Sequence, residues 1–244
     1  MKKSILVAFT LFLGITSANA QWWSSNKNIK GNGDMVTKNR KVSDYDEVSL
    51  VGSMDVVLVR GTEGNLQVEA ESNLQEYITT EVKGSTLRIS IEEGTSISPS
   101  RNNSIKITVP FEDIEGASVT GSGDIWNEDK ITAKDFSISV TGSGDIKLEI
   151  DADEIKGKVT GSGDVVIMGQ ANELDCGVTG SGDFDAFKLK AKIVHAQVSG
   201  SGDVMVWAEN ELNARVAGSG DIEYKGNPSK ENFKTSGSGD ISKY

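Results

Sequence analysis

A single cysteine among 244 residues rules out an internal disulfide, so folding must rest on packing alone. There is also a single histidine, His195. A nucleophilic Cys176 would need an adjacent base or positive field, and His195 falls on an outward row while Cys176 falls on an inward one. Basic residues are in deficit, 25 against 36 acids, for a net charge of −11. That balance disfavours nucleic acid and anionic membrane surfaces as partners. No segment approaches 18 consecutive apolar residues, so no membrane-inserted helix is expected. The glycines are never followed by the Gly-Lys-Ser/Thr of a phosphate-cradling loop.

Residues 1–20 read as a removable export signal. Lys2 and Lys3 form its charged start, Ile5 to Ile15 its apolar stretch, and Ala18-Asn19-Ala20 its small-residue cleavage site. No cysteine lies near the cut to carry a lipid anchor. With Lys2 and Lys3 removed from the 25 bases, 23 remain against 36 acids, and the mature chain carries −13.

What is present is a repeat. Gly-Ser-Gly-Asp occurs seven times, ending at Asp124, Asp145, Asp164, Asp183, Asp203, Asp221 and Asp240, spaced 18 to 21 residues apart. A fixed period near 20 marks a stacked array in which neighbouring units complete one another's core. Five residues before the aspartate stands Val119, Val140, Val159, Val178, Val198 or Val216, then Thr235. Seven before stand Ala117, Ile138, Gly157, Cys176, Ala196, Ala214 and Phe233, and the position between them is mostly polar. This period-two alternation is a strand with one face buried. Directly after each aspartate comes an apolar residue (Ile125, Ile146, Val165, Phe184, Val204, Ile222, Ile241), opening a second strand. A polar turn such as Gly169-Gln170-Ala171-Asn172 follows. The fold class is therefore all-β, a parallel β-helix or β-roll-like solenoid with coils of about 20 residues. The first and last units are irregular, as terminal coils should be.

Four segments follow from composition: a signal peptide over 1–20, a polar and frayed start over 21–41, an N-terminal β region over 42–115, and the repeat solenoid over 116–244. The start carries Trp22, Trp23 and five bases against Asp34 alone. Strands are expected at Val56 to Val59, Leu66 to Ala70, Thr86 to Ile91 and Ile105 to Val109, with a helical turn over Asn73 to Tyr77 and an exposed loop over 94–104.

Glycine supplies positive φ at the corner, and serine and aspartate accept turn amides. Stacked carboxylates about 4.8 Å apart repel by roughly 0.9 kcal/mol per pair in water. Hydrogen bonds, splaying toward solvent or a bound cation must offset this. Calcium is the cation to consider, but it prefers six to eight oxygens and each coil offers one carboxylate. The expectation is no cofactor and no metal, with a calcium-dependent β-roll as the alternative.

Gly31-Asn32-Gly33, Arg40, Val42, Tyr45, Val48 and Gly52-Ser53-Met54-Asp55-Val56 up to Gly61 resemble the opening of the autotransporter adhesin head GIN domain, and the Gly-Ser-Gly-Asp units resemble its C-terminal half. The resemblance covers essentially the whole mature chain. It implies an exported, β-helix-like protein of Bacteroidetes-type bacteria and transfers no catalytic or ligand residues. An autotransporter barrel needs several further membrane strands, and four residues follow the last repeat. The expected destination is the periplasm, with the cell surface or extracellular space reached only by another route.

The expected function is a non-catalytic binding or structural module, adhesin-like, presenting a rigid surface to a protein or glycan. Trp126, Val166 and Met205 point outward, but Lys147, Asp185 and Glu223 interrupt that row, so no continuous apolar strip forms. The rival is a carbohydrate-active β-helix enzyme, which needs a convergent pair of acids. Candidates are the departures from the repeat: Asp185, Glu223, Lys188, Lys190, Lys192 and His195. The oligomeric state is open, because terminal sheet edges can pair between molecules.

Overall fold

Each coil closes at the same tetrapeptide, and the reason is steric. The structure, a computed structural model, describes residues 27–244; the expected signal over 1–20, together with Trp22 and Trp23, lies outside them. The N-terminal part comprises β1 (Lys27–Lys30), β2 (Met35–Lys41), β3 (Glu47–Gly52), β4 (Asp55–Arg60), β5 (Asn65–Glu71), β6 (Ile78–Lys83), β7 (Thr86–Ile91), β8 (Thr95–Ser98) and β9 (Lys106–Phe111). The coils follow: β10 (Gly116–Gly121), β11 (Ile125–Asn127), β12 (Ile131–Gly142), β13 (Ile146–Gly161), β14 (Val165–Gly180), β15 (Phe184–Gly200), β16 (Val204–Gly218), β17 (Ile222–Lys225), β18 (Lys230–Gly237) and β19 (Ile241–Lys243). No α-helix occurs among the described residues; Gln75–Tyr77 form one 3-10 turn, inside the expected stretch.

The coils, of about 19 residues, stack in parallel as a β-solenoid. Ile146 sits in register with Val165, then Phe184, Val204, Ile222 and Ile241. Val140, Val159, Val178, Val198 and Val216 form a second ladder. Both ladders are buried up to the last coil, and each fully buried aliphatic side chain contributes about 1.5–3 kcal/mol of transfer free energy. The expected polar turn at Gly169-Gln170-Ala171-Asn172 is not a break. β14 passes through it, with Ile150, Asp151 and Ala152 in register with Gly169, Gln170 and Ala171. Continued pairing keeps the amides satisfied around the bend, so a coil is one long bent strand rather than two strands and a turn.

The corner is different. Gly161 has φ +125°, and a Cβ there would stand 2.3 Å from the Gly142 carbonyl oxygen. At Gly163 it would stand 2.1 Å from the Gly144 oxygen. The close approach serves a bond pattern in which the N–H groups of Ser162 and Gly163 both donate to the Gly142 carbonyl, at 2.8 and 3.1 Å.

An eighth corner lies where the repeat is disguised. Gly52-Ser53-Met54-Asp55 receives the same paired bonds, from Ser122 and Gly123 to the Gly52 carbonyl at 2.9 and 3.0 Å. β3 and β4 form the rung beneath β10 and β11. Below that rung, β7 and β9 run parallel to β3 and β4, but residues 92–105 join them instead of a glycine corner. The buried Met54 is accommodated there. The stack therefore crosses the boundary expected at 115/116: strand pairing is continuous from β7 and β9 through β19.

Residues 27–41 are not frayed. β1 pairs parallel with β8, and β2 pairs antiparallel with β5. β8 also gives strand structure to part of the expected loop over 94–104. Between the two pairs, the chain wraps the buried carboxylate of Glu71. Gly33 N–H donates to it at 2.5 Å, Ser100 N–H at 2.8 Å and Asn103 Nδ2 at 3.2 Å, with the Ser100 hydroxyl also bonded. A Cβ on Gly31 would fall 1.6 Å from Glu71 Oε2, which accounts for the first glycine of Gly31-Asn32-Gly33. Burial alone would push Glu71 up; the bonds from Ser100, Asn103 and Gly33 outweigh it and hold the carboxyl below the usual range.

Two outcomes follow. Gly163→Ala should cost at least about 3 kcal/mol in urea denaturation, since backbone rather than a flexible side chain must move. Gly177→Ala, whose new Cβ would meet nothing nearer than the Gln197 carbonyl at 3.6 Å, should stay within about 0.5 kcal/mol. For Glu71, the depressed carboxyl contributes stability above its unfolded pKa that is lost as pH falls through the folded one. Glu71→Gln should therefore be less stable at neutral pH and lose less on acidification than the natural chain. Equal acid sensitivity of the urea midpoints would refute this role.

Candidate functional site: an axial trough

On the strand approaching most corners, the inward residue seven before the aspartate is small: Ala117, Gly157, Cys176, Ala196 and Ala214, with Val48, Ile138 and Phe233 the exceptions. Its neighbours two residues either side are larger, for example Ile155 and Val159 or Leu174 and Val178. Close packing then draws the middle of the sheet toward the core while its flanks stand off. At Gly157 the missing side chain is replaced by the Phe184 ring, which a Cβ would strike at 2.3 Å. Above this row lie three depressions, of about 210, 500 and 190 Å³. The first and second share Ser137 and Ser139, and the second and third share Asp175 and Gln197. Together they form one trough along the solenoid axis, crossing the coils from Gly116 to Lys234.

Two outward rows line it. One holds Ser118, Ser139, Lys158, Gly177, Gln197, Arg215 and Lys234, the other Ser137, Lys156, Asp175, His195, Asn213 and Asn232. The first row contains no acid, and among the described residues none of its cations has an acidic partner within 4.0 Å. Lys156 Nζ lies 2.6 Å from Glu154 Oε1, a contact that raises its pKa. His195 Nε2 lies 3.5 Å from Glu173 Oε1. Gly177 leaves the centre of the floor bare. Cys176 faces inward as its row requires, and burial pushes its thiol far above the ordinary range, with Asp175 adding to the effect.

The aspartate ladder runs along the corner, away from the trough. Each carboxylate accepts the backbone N–H of the next aspartate: Asp124 from Asp145 at 3.0 Å, then Asp145, Asp164, Asp183, Asp203 and Asp221 from their successors at 2.8–2.9 Å. Every rung thus has a hydrogen bond to set against the repulsion between neighbours. At the base, burial and then the charge of Asp124 push the Asp55 carboxyl up. No group of three or more His, Cys, Asp or Glu side chains able to hold a metal ion occurs among the described residues.

The other departures from the repeat do not converge. Asp185 accepts the Phe187 N–H at 2.9 Å, and Lys190 Nζ lies 5.0 Å from the centre of the Trp207 ring. Glu223 lies two rungs from Asp185, through Met205. Lys192 borders a separate groove beside Asp153 and Glu209. A register shift between Ala186 and Lys190 displays Phe187, whose ring meets Tyr244 edge-on at 5.1 Å with Lys225 Nζ 4.1 Å above it. The lengthened spacing from Asp183 to Asp203 is the only sequence trace of that bulge.

Asp164→Ala should remove the acceptor of the Asp183 amide and cost about 1 kcal/mol. Asp164→Asn keeps an acceptor oxygen and should stay within about 0.5 kcal/mol of the natural chain. Equal losses in urea denaturation would show that charge, not the amide bond, governs the corner.

Comparison with known proteins agrees with this architecture. The chain aligns with a "putative adhesin" of Bacteroides fragilis at 26% identity and TM-score 0.82, over 88% of this chain and 100% of that one. A "putative lipid binding protein" of Parabacteroides distasonis aligns at 30% identity and TM-score 0.73, over 89% and 100%. A "putative adhesin" of Parabacteroides merdae shares the fold at 18% identity and TM-score 0.72, over 89% and 99%. No curated protein matches. The family pattern described as "Putative auto-transporter adhesin, head GIN domain" spans residues 44–228, from the strand before the disguised corner to the last full coil, and the chain belongs to that family.

Proposed function

We propose that the chain is an exported, non-catalytic binding module that holds an extended polymer, glycan or peptide, along its axial trough. The observation that carries this reading is the continuity of the trough: three depressions that share lining residues follow one another across the coils, so the surface suits a ligand with many like units. Export is supported by the Lys2–Ala20 pattern and the adhesin family, with the periplasm the compartment we favour. No described helix is long and apolar enough to cross a membrane.

Two neighbouring readings have less support. A lipid ligand, suggested by the description of the Parabacteroides distasonis relative, would favour an enclosed apolar cavity, whereas the trough is an open surface on which Ser, Asn, Gln, Lys, Arg, His195 and Asp175 stand among apolar patches. An enzyme would need acids brought together, and Asp185, Glu223 and the lysines around them face different surroundings. This reading gives calcium no part, because one oxygen of each ladder carboxylate takes a backbone amide that offsets the repulsion, and each coil adds a single carboxylate where calcium prefers six to eight oxygens.

The test is a panel of immobilised polysaccharides and extended peptides, probed with the natural chain and with Gly177→Trp, which fills the centre of the trough. The variant should keep its melting temperature and lose binding at least tenfold, and both proteins should melt identically in calcium and in chelator. Binding untouched by the tryptophan, or consumption of any polymer, would sink the proposal.

A further inference from the structure

We infer that the trough selects an acidic polysaccharide. The inference rests on the trough being the binding surface, and deepens that reading from charge and from spacing.

In a chain of net charge −11, the outward row along the trough carries Lys158, Arg215 and Lys234 and no acid. The facing row carries Lys156, His195 and one acid, Asp175, and Glu47 borders the lower end, so the bases along the trough outnumber the acids. Lys158 lies three coil steps from Arg215, and Lys234 one step beyond. The cations are thus distributed along the axis and free of protein partners, which suits an anionic chain laid lengthwise rather than one compact anion. Between the basic poles, Gly177 and Gln197 leave room and a hydrogen-bonding side chain.

Spacing separates a glycan from a peptide. The coils repeat every ~4.8 Å, whereas side chains on one face of an extended peptide recur about every 6.6 Å. A peptide falls out of step with the rungs within two residues. A chain of linked pyranose rings advances by roughly one coil step per ring and turns about its axis as it goes, so like edges return to the trough at intervals of a few rungs. Beside the trough runs a row of hydroxyls, Thr120, Thr141, Thr160, Thr179 and Ser199, broken at Ala217, to pair with ring hydroxyls along the same chain. Those uronate carboxylates that face the trough then meet the cations of the row, which stand at intervals at Lys158, Arg215 and Lys234.

The experiment uses the mature chain and immobilised polygalacturonate, with neutral dextran and poly-glutamate as comparisons. Polygalacturonate should bind in a salt-sensitive manner, and Lys158→Glu with Arg215→Glu should weaken it about tenfold or more. Lys147→Glu with Lys188→Glu, an equal charge change on the opposite sheet, should leave it unchanged. Several results would overturn the inference: no binding of polygalacturonate, equal binding of poly-glutamate, or equal losses in the two charge variants. Dextran bound as well as polygalacturonate, and lost in Gly177→Trp but not in the trough charge variant, would overturn it while leaving the trough as the binding surface.

Discussion

Everything in this molecule depends on how closely two backbones can approach at the corner. The paired amides of one Gly-Ser-Gly-Asp reach the first glycine carbonyl of the coil before it, at distances that leave no room for a Cβ on either glycine. That single contact fixes coil spacing, and coil spacing fixes the ladders of valine and isoleucine that make up the core. The aspartate is part of the same device, its carboxylate taking the next aspartate's amide and converting a column of like charges into a hydrogen-bonded one.

A chain without disulfides must still close the ends of such a stack. The lower end is closed by folding the chain back: β5 and β6 pair antiparallel at its side, and β7 and β9 slide beneath the first rung. Glu71 pins this brace by gathering donors from Gly33, Ser100 and Asn103. The upper end is closed differently. β18 is exposed along its length, with Thr235 and Glu231 where earlier coils place valine and aliphatic residues. Lys230, Glu231 and Lys234 discourage another strand from pairing there.

How much of this was legible depended on how far each feature repeats. The coils could be read because seven copies of one tetrapeptide and three apolar columns all enforce the same period. The disguised rung at Gly52-Ser53-Met54-Asp55 is hidden because Met54 replaces the diagnostic glycine, and because its neighbour in space, β10, comes some seventy residues later. β1 and β2 are rich in lysine and bury little of either face, so they show no apolar alternation, and their partners lie far along the chain. The bend at Gly169–Asn172 looked like a turn from its composition, yet pairing with the coils on either side holds it as strand. The trough left a sequence trace in the column Ala117, Gly157, Cys176, Ala196 and Ala214. Small residues between large ones signal curvature only once the column is known to be continuous.

That column also has an evolutionary side. Because each rung carries its own share of corner, core and trough floor, a coil can be duplicated or deleted without redesigning its neighbours. The terminal brace and the charged cap are built once and need not change. Length of the trough then varies in whole steps, leaving every remaining step intact. A lineage lengthens or shortens the stack by copying about nineteen residues, and the number of rungs rather than the make-up of a rung is what selection can tune most readily.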